Sequence, residues 1–191
     1  LLNSNDDSTA ESFLEVLQNE VGDISDFVNK PNSTQTTPLH LVCERNLPRI
    51  ALLLIKNGAK HLSNSKNEMP IFSLINSGDE GRLENFLGVL QDEVDISDFI
   101  NLKDKSGDTV LHKACKKNMP KKAGVLIKHG AKMLANSQDE MPAFSLLNSN
   151  DDSTAESFLE VLQNEVGDIS DFVNKPNSTQ TTPLHLVCER N

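Results

Sequence analysis

The chain has 191 residues, 37% of them apolar, and a formal net charge of −10. That acidity argues against a general nucleic-acid or anionic-membrane surface, and eight Phe with no Trp or Tyr argue against a base-stacking platform. No apolar run approaches the roughly 18–20 residues that cross a bilayer, so membrane insertion is not expected, and no signal peptide is visible.

Residues 1–46 recur letter for letter as residues 146–191. A shorter period lies inside that one, because Thr37-Pro38-Leu39-His40, Thr109-Val110-Leu111-His112 and Thr182-Pro183-Leu184-His185 recur at nearly even intervals. Repetition on this scale predicts a quasi-one-dimensional array of stacked units, not a globule around one central site. Alignment of the chain with itself gives two alternating unit types in a single array over 1–191. A partial long repeat covers 1–36, a short repeat 37–68, a long repeat 69–108, a short repeat 109–140, a long repeat 141–181 and a truncated short repeat 182–191.

In the long repeat 69–108, Met69-Pro70-Ile71-Phe72 opens a first helix that reaches Ile75. Leu83, Phe86, Leu87 and Leu90 then mark one face of an amphipathic helix over 82–92. The segment 94–100 has no counterpart in the short repeat. An extended, partly buried finger is expected there, with Asp95 or Ser97 able to cap a single turn that tucks Ile96 and Phe99 onto the stack.

In the short repeat 109–140, the turn cluster at 103–108 precedes Thr109, which is placed to cap a helix through about Lys117 with Leu111, Ala114 and Cys115 on its apolar side. Asn118 and Met119 break it, and Pro120 suits the first turn of a second helix. That helix carries Ala123, Val125, Leu126 and Ile127 and stops at Gly130, which can take the left-handed conformation of a helix terminus. Turn, helix, tight break, antiparallel helix and glycine stop make one helical hairpin.

Asp104-x-x-Gly107-x-Thr109-x-Leu111-His112-x-Ala114, followed by Leu126-Ile127-x-x-Gly130-Ala131, resembles the ankyrin repeat. Thr37-Pro38-Leu39-His40 with Leu54-Ile55-x-x-Gly58-Ala59 matches the same pattern, whereas the long repeats replace Thr-Pro-Leu-His by Met-Pro-Ile-Phe or Met-Pro-Ala-Phe and lack the Gly-Ala stop. The resemblance implies an all-α ankyrin-repeat solenoid of stacked helix-turn-helix units with projecting turns. It also implies a non-catalytic protein-binding scaffold whose partner lies on the concave face of turn tips and first helices.

His40/Cys43, His112/Cys115 and His185/Cys188 recur as His-x-x-Cys on one helical face. A nucleophile and its base would need a third, orienting group, and a zinc site about four converging ligands. The reading adopted is structural: the His bonds the neighbouring turn, and the Cys is a small core residue kept reduced in a cytoplasmic compartment. His61 and His129 have no motif around them and are expected to face solvent. Asp104 to Asp108 imitates a calcium loop but places Cys115 where the bidentate Glu is required. No catalytic apparatus, cofactor site or metal site is expected.

Lys113, Lys116, Lys117, Lys121 and Lys122 concentrate positive charge in an acidic chain, while the preceding short repeat has Leu41, Glu44, Arg45, Arg49 and Ile50 at those places. Such a run is read first as a solvated face balancing nearby carboxylates. The candidate partner-binding residues are Glu44, Arg45, Lys103, Asp104, Lys105, Asp108, Lys113, Lys116 and Lys117, together with the tips at 64–67 and 136–139. The partner is an unidentified protein. Incomplete repeats at 1–36 and 182–191 make the sequence read as a window on a longer array or an engineered duplicate, and suggest head-to-tail self-association through uncapped ends. Such arrays resemble targeting regions of bacterial effectors, which would place the chain in a host cytosol, and the stems of some channels.

Overall fold

The computed structural model describes residues 7–76, 80–149 and 151–190. The expectation that Leu1 opens inside the first helix of a long repeat lies outside those residues. The chain divides into two compact units, Leu1–Phe99 and Ile100–Asn191. In chain order the helices are α1 (Asp7–Val21), α2 (Ser25–Asn29), α3 (Pro38–Glu44), α4 (Pro48–Lys56), α5 (Pro70–Asn76), α6 (Glu80–Gln91) and α7 (Ser97–Ile100). They continue with α8 (Val110–Lys116), α9 (Pro120–Lys128), α10 (Pro142–Ser149), α11 (Asp152–Val166), α12 (Ser170–Asn174) and α13 (Pro183–Arg190). No strand occurs among the described residues, so the fold is all-α.

In the first unit, α3 packs on α4 and α5, while α4 also packs on α1 and α6. First helices therefore face first helices, and second helices face second helices. The second unit repeats the plan: α8 lies against α9 and α10, α9 against α11, and α10 against α13. Burial follows the sequence periodicity. Leu83, Phe86, Leu87 and Leu90 of α6 are at most 1% exposed, as are Leu111, Ala114 and Cys115 of α8. Each large apolar side chain so buried contributes about 1.5–3 kcal/mol of transfer free energy.

Local chemistry sets the hairpin boundaries. Pro48 and Pro120 occupy the first turns of α4 and α9, where the missing N–H would have had no partner inside the helix. Asn46 and Asn118 take φ of +56° and +52° at the break between paired helices, a conformation asparagine tolerates better than most side chains. Gly58 and Gly130, at +81° and +92°, end the second helices.

Two expectations are corrected. The segment 94–100 is not extended throughout: it contains the expected single turn, α7, with the Asp95 carboxylate accepting from the Ser97 amide at 2.8 Å and with Ile96 and Phe99 buried at 3% and 2% exposure. Asp23 and Asp168 accept from Ser25 and Ser170 in the same way, at 2.8 Å each, ahead of α2 and α12. His61 and His129 are half-buried and do not project into solvent. The His61 ring lies 5.3 Å from that of Phe99, and burial lowers its pKa.

The duplicated sequence gives an internal control on burial. Leu39 and Cys43 are 0% exposed beneath α4 and α5, whereas their copies Leu184 and Cys188 are exposed, Leu184 at 66%. Phe27 is 56% exposed and its copy Phe172 only 2%. Identical letters are buried or bare according to the helices that face them.

Candidate functional site

The tips that precede the first helices are each built by one side chain accepting two main-chain N–H groups, the Asx arrangement. Asn32 Oδ1 accepts from Thr34 and Thr36 at 3.0 Å each, and Asp104 Oδ1 accepts from Ser106 and Asp108 at 2.8 and 3.0 Å. Asn64 does the same for Lys66 and Glu68, and Asn136 for Gln138 and Glu140. Successive tips are joined within each unit: the Ser65 amide donates to the Thr34 carbonyl, and that of Ser137 to Ser106, both at 3.0 Å.

His40 and His112 tie the first helices to those tips. The Thr37 amide lies 3.2 Å from His40 Nδ1 and can only donate, so that nitrogen carries no proton. The Thr37 hydroxyl reaches the same nitrogen at 2.8 Å, and Nε2–H donates to the Glu68 carbonyl at 3.0 Å. His112 repeats the set with Thr109 and Glu140 at 3.1, 2.9 and 3.0 Å. Burial lowers the pKa of both rings, which keeps them neutral. Cys43 and Cys115 are core residues whose thiols burial pushes up, the opposite of an activated nucleophile. Among the described residues, no group of three or more His, Cys, Asp or Glu is placed to hold a metal ion.

Between the tips and first helices of the first unit lies a cleft of about 560 Å³, within the range of ligand sites. One tip contributes Thr34 and Thr36, α3 contributes His40 and Glu44, and the next tip contributes Asn64, Ser65, Lys66 and Glu68. Ser73 and Asn76 of α5 close it. Hydroxyls and amides dominate. Thr34 and Thr36 share a hydroxyl hydrogen bond of 2.9 Å, and Asn64 donates to the Glu68 carboxylate at 3.3 Å.

The equivalent positions of the second unit carry a different network. Asp108, at the place of Thr36, is 2% exposed and receives Lys116 Nζ at 2.7 Å, Lys113 Nζ at 3.0 Å and Asn136 Nδ2 at 2.9 Å. Lys113 also reaches Asp104 at 2.9 Å. Burial alone would raise the Asp108 carboxyl, but the hydrogen bonds from Lys116, Asn136 and Lys113 and the Lys113 charge overcome it and hold the pKa at about 2. For Lys113 burial works downward, and its bonds to Asp104 and Asp108 raise the pKa overall.

The candidate residues therefore separate. Asp104, Asp108, Lys113 and Lys116 form one internally paired cluster, with Asp104 8% exposed. Glu44 lines the cleft of the first unit. Arg45 and Lys117 cap the ends of α3 and α8, Lys105 sits exposed on its tip, and Lys103 Nζ donates to the Ala135 carbonyl at 2.7 Å. Ser73 and Asn76 escape sequence reasoning because they belong to a long repeat without the Thr-Pro-Leu-His signature. Aligning the two units position by position is the signal that finds their tip neighbours Asn64 and Glu68.

Residues 34–68 match the protein-family model described as the ankyrin repeat. This segment is an ankyrin repeat. The chain also superposes on the crystal structure of EF0377, an ankyrin repeat protein, with a TM-score of 0.59 over 95% of this chain and 89% of that one, at 16% identity. At that identity the match speaks for the fold, which is the ankyrin-repeat fold. No curated protein matches the sequence. Ankyrin repeats are in general protein–protein interaction modules and typically non-catalytic. No helix among the described residues is long and apolar enough to cross a membrane.

Proposed function

We propose that this ankyrin-repeat chain is a non-catalytic scaffold that binds a protein partner along its turn tips and first helices. The observation that carries this reading is the cleft of the first unit, about 560 Å³ and lined by Thr34, Glu44, Asn64 and Ser73 among others. Its hydroxyls, amides and carboxylates suit the main chain and polar side chains of an extended segment. The candidate residues Arg45, Lys103, Lys105 and Lys117 are proposed as outlying contacts, and Asp104, Asp108, Lys113 and Lys116 as the support that fixes the tip of the second unit. Two buried, protonated thiols, Cys43 and Cys115, agree with a reducing compartment such as the cytoplasm.

A photo-crosslinking residue at Ser73 should capture the partner, and the same residue at Ser157 on exposed α11 should not. Equal capture at both positions would contradict the reading.

A second reading, self-association, is favoured by the exposed apolar residues Phe13, Val16 and Phe27 of the first unit and Leu184 of the second. Exposed apolar side chains promote assembly. Light scattering across a dilution series would show mass rising with concentration, and a constant monomer mass would dismiss it.

A further inference from the structure

The two units place cations differently around the same scaffold. In the second unit the cations are built in: Lys113 and Lys116 sit on Asp104 and Asp108. The corresponding residues of the first unit are Leu41, Glu44, Asn32 and Thr36, so its cleft has neither those cations nor those acids. In place of Lys116 it has a carboxylate, Glu44, on the α3 wall, facing the one both units share on the opposite tip, Glu68 here and Glu140 in the second unit. Among the described residues neither Glu44 nor Glu68 makes an ion pair; the Glu68 carboxylate accepts the weak 3.3 Å hydrogen bond from Asn64.

We propose that the cleft of the first unit receives a lysine or arginine side chain from an extended partner segment, clasped between Glu44 and Glu68. This rests on the protein-binding reading above and names the partner's chemistry. Three features of the cleft agree with it. Its volume of about 560 Å³ accommodates a long side chain with flanking main chain. His40 forms part of the wall but adds no positive charge, because its Nδ1 is committed to Thr37 and its Nε2–H to Glu68. Lys66 of the lining is exposed on the tip, where its flexible stem can turn its ammonium to water. A partner cation would thus meet two carboxylates and the hydroxyls of Thr34 and Ser73. An acidic segment would meet like charge, which is costly at close range.

The test uses the full 191-residue chain and two fluorescent peptides, one alternating serine and lysine, the other serine and glutamate. Fluorescence anisotropy is read at moderate salt for the wild type, Glu44→Gln, Glu44→Lys and Glu160→Lys. Glu160 is an exposed carboxylate on α11 and controls for the chain's overall acidity. The serine–lysine peptide should bind, weaken by about tenfold with Glu44→Gln, as expected for one lost charge-assisted contact, and weaken further with Glu44→Lys. Glu160→Lys should leave it unchanged, and the serine–glutamate peptide should not bind. Equal losses for Glu44→Lys and Glu160→Lys, or no binding of the serine–lysine peptide, would overturn the proposal. A partner that crosslinks at Ser73 yet binds equally to Glu44→Lys would overturn this inference alone and leave the scaffold reading intact.

Discussion

The tips and first helices of the two units share the histidine clasp, the Asx turns and most of the cleft lining, yet they use polar residues in opposite ways. Six lining positions are identical between the units, among them His40/His112, Asn64/Asn136 and Glu68/Glu140. Four substitutions separate the outcomes: Asn32 for Asp104, Thr36 for Asp108, Leu41 for Lys113 and Glu44 for Lys116. The second unit pairs its charges internally, closing Asp108 under two lysines and Asn136. The first leaves its carboxylates beside an open cleft. In a repeat architecture the shared residues maintain the fold, while the few that differ decide whether a surface is internally satisfied or available.

The largest effect should come from breaking the closed cluster. Asp108→Ala leaves two ammonium groups and Asn136 without their common acceptor and should lower the unfolding free energy by about 3 kcal/mol, read by urea denaturation. The lysines are only half-buried and can reach water, which keeps the loss at the lower end for buried pairs.

A second variant addresses the outer helices. A Cβ built on Gly124 would lie 2.9 Å from Glu165 Cβ, so α9 and α11 approach more closely than a side chain there allows; the equivalent residue in the first unit is Leu52. Gly124→Leu should cost about 2 kcal/mol through overpacking, measured the same way.

Acid separates the units next. His40 and His112 have folded pKa values lowered below their ordinary value, so their contribution is present above about pH 6.5 and is lost as pH falls through the folded values. Asp108 is also lowered, from 3.8 to about 2; its contribution is complete above the unfolded value and disappears as pH falls toward 2. Urea midpoints plotted against pH should therefore decline in two limbs, a small one from the histidines and one of up to about 2 kcal/mol from Asp108, whose carboxylate is buried and little screened. Asp108→Ala should shrink the limb below about pH 4, to which the hydrogen-bonded carboxylate of Asp151 also contributes, and keep the histidine limb. An acid limb of unchanged size would show that Asp108 does not contribute to it.

The smallest stability effect is expected at the open cleft. Thr36→Ala, at the place of Asp108, should change stability by no more than about 0.5 kcal/mol. Installing the second unit's side chains together, as Asn32→Asp, Thr36→Asp, Leu41→Lys and Glu44→Lys, should preserve the fold and abolish binding of the serine–lysine peptide. Undiminished binding would break the contrast between the clefts.

Much of the fold is legible in the sequence because its signals are local. Thr37 and Thr109 precede helices, Pro48 and Pro120 open them, and Gly58 and Gly130 stop them; none of these requires knowledge of a distant residue. The turn α7 is legible in part: Asp95 and Ser97 mark its start locally, while the burial of Ile96 and Phe99 that holds it is a matter of tertiary packing. His61 defeats local reasoning in the same way, because the ring it meets, Phe99, belongs to the following repeat. In the candidate site, charge is visible in the sequence but its allocation is not. Asp104 and Asp108 look like exposed tip residues in a turn-rich run, and only the folded chain brings Lys113 and Lys116 over them. Ser73 and Asn76 carry no motif, so their place in the cleft follows from the packing of α5 against α3.

The central claim is that the open cleft of the first unit, and not acidity in general, receives a basic segment. Amide chemical-shift mapping of the isotope-labelled chain titrated with the serine–lysine peptide tests it most directly. Saturable shifts should concentrate at Thr34, Thr36, Glu44, Ser65, Glu68 and Ser73, with Ser106, Lys116 and Ser137 of the second unit unmoved. Shifts spread over the acidic face of α11, or equal in both units, would contradict it.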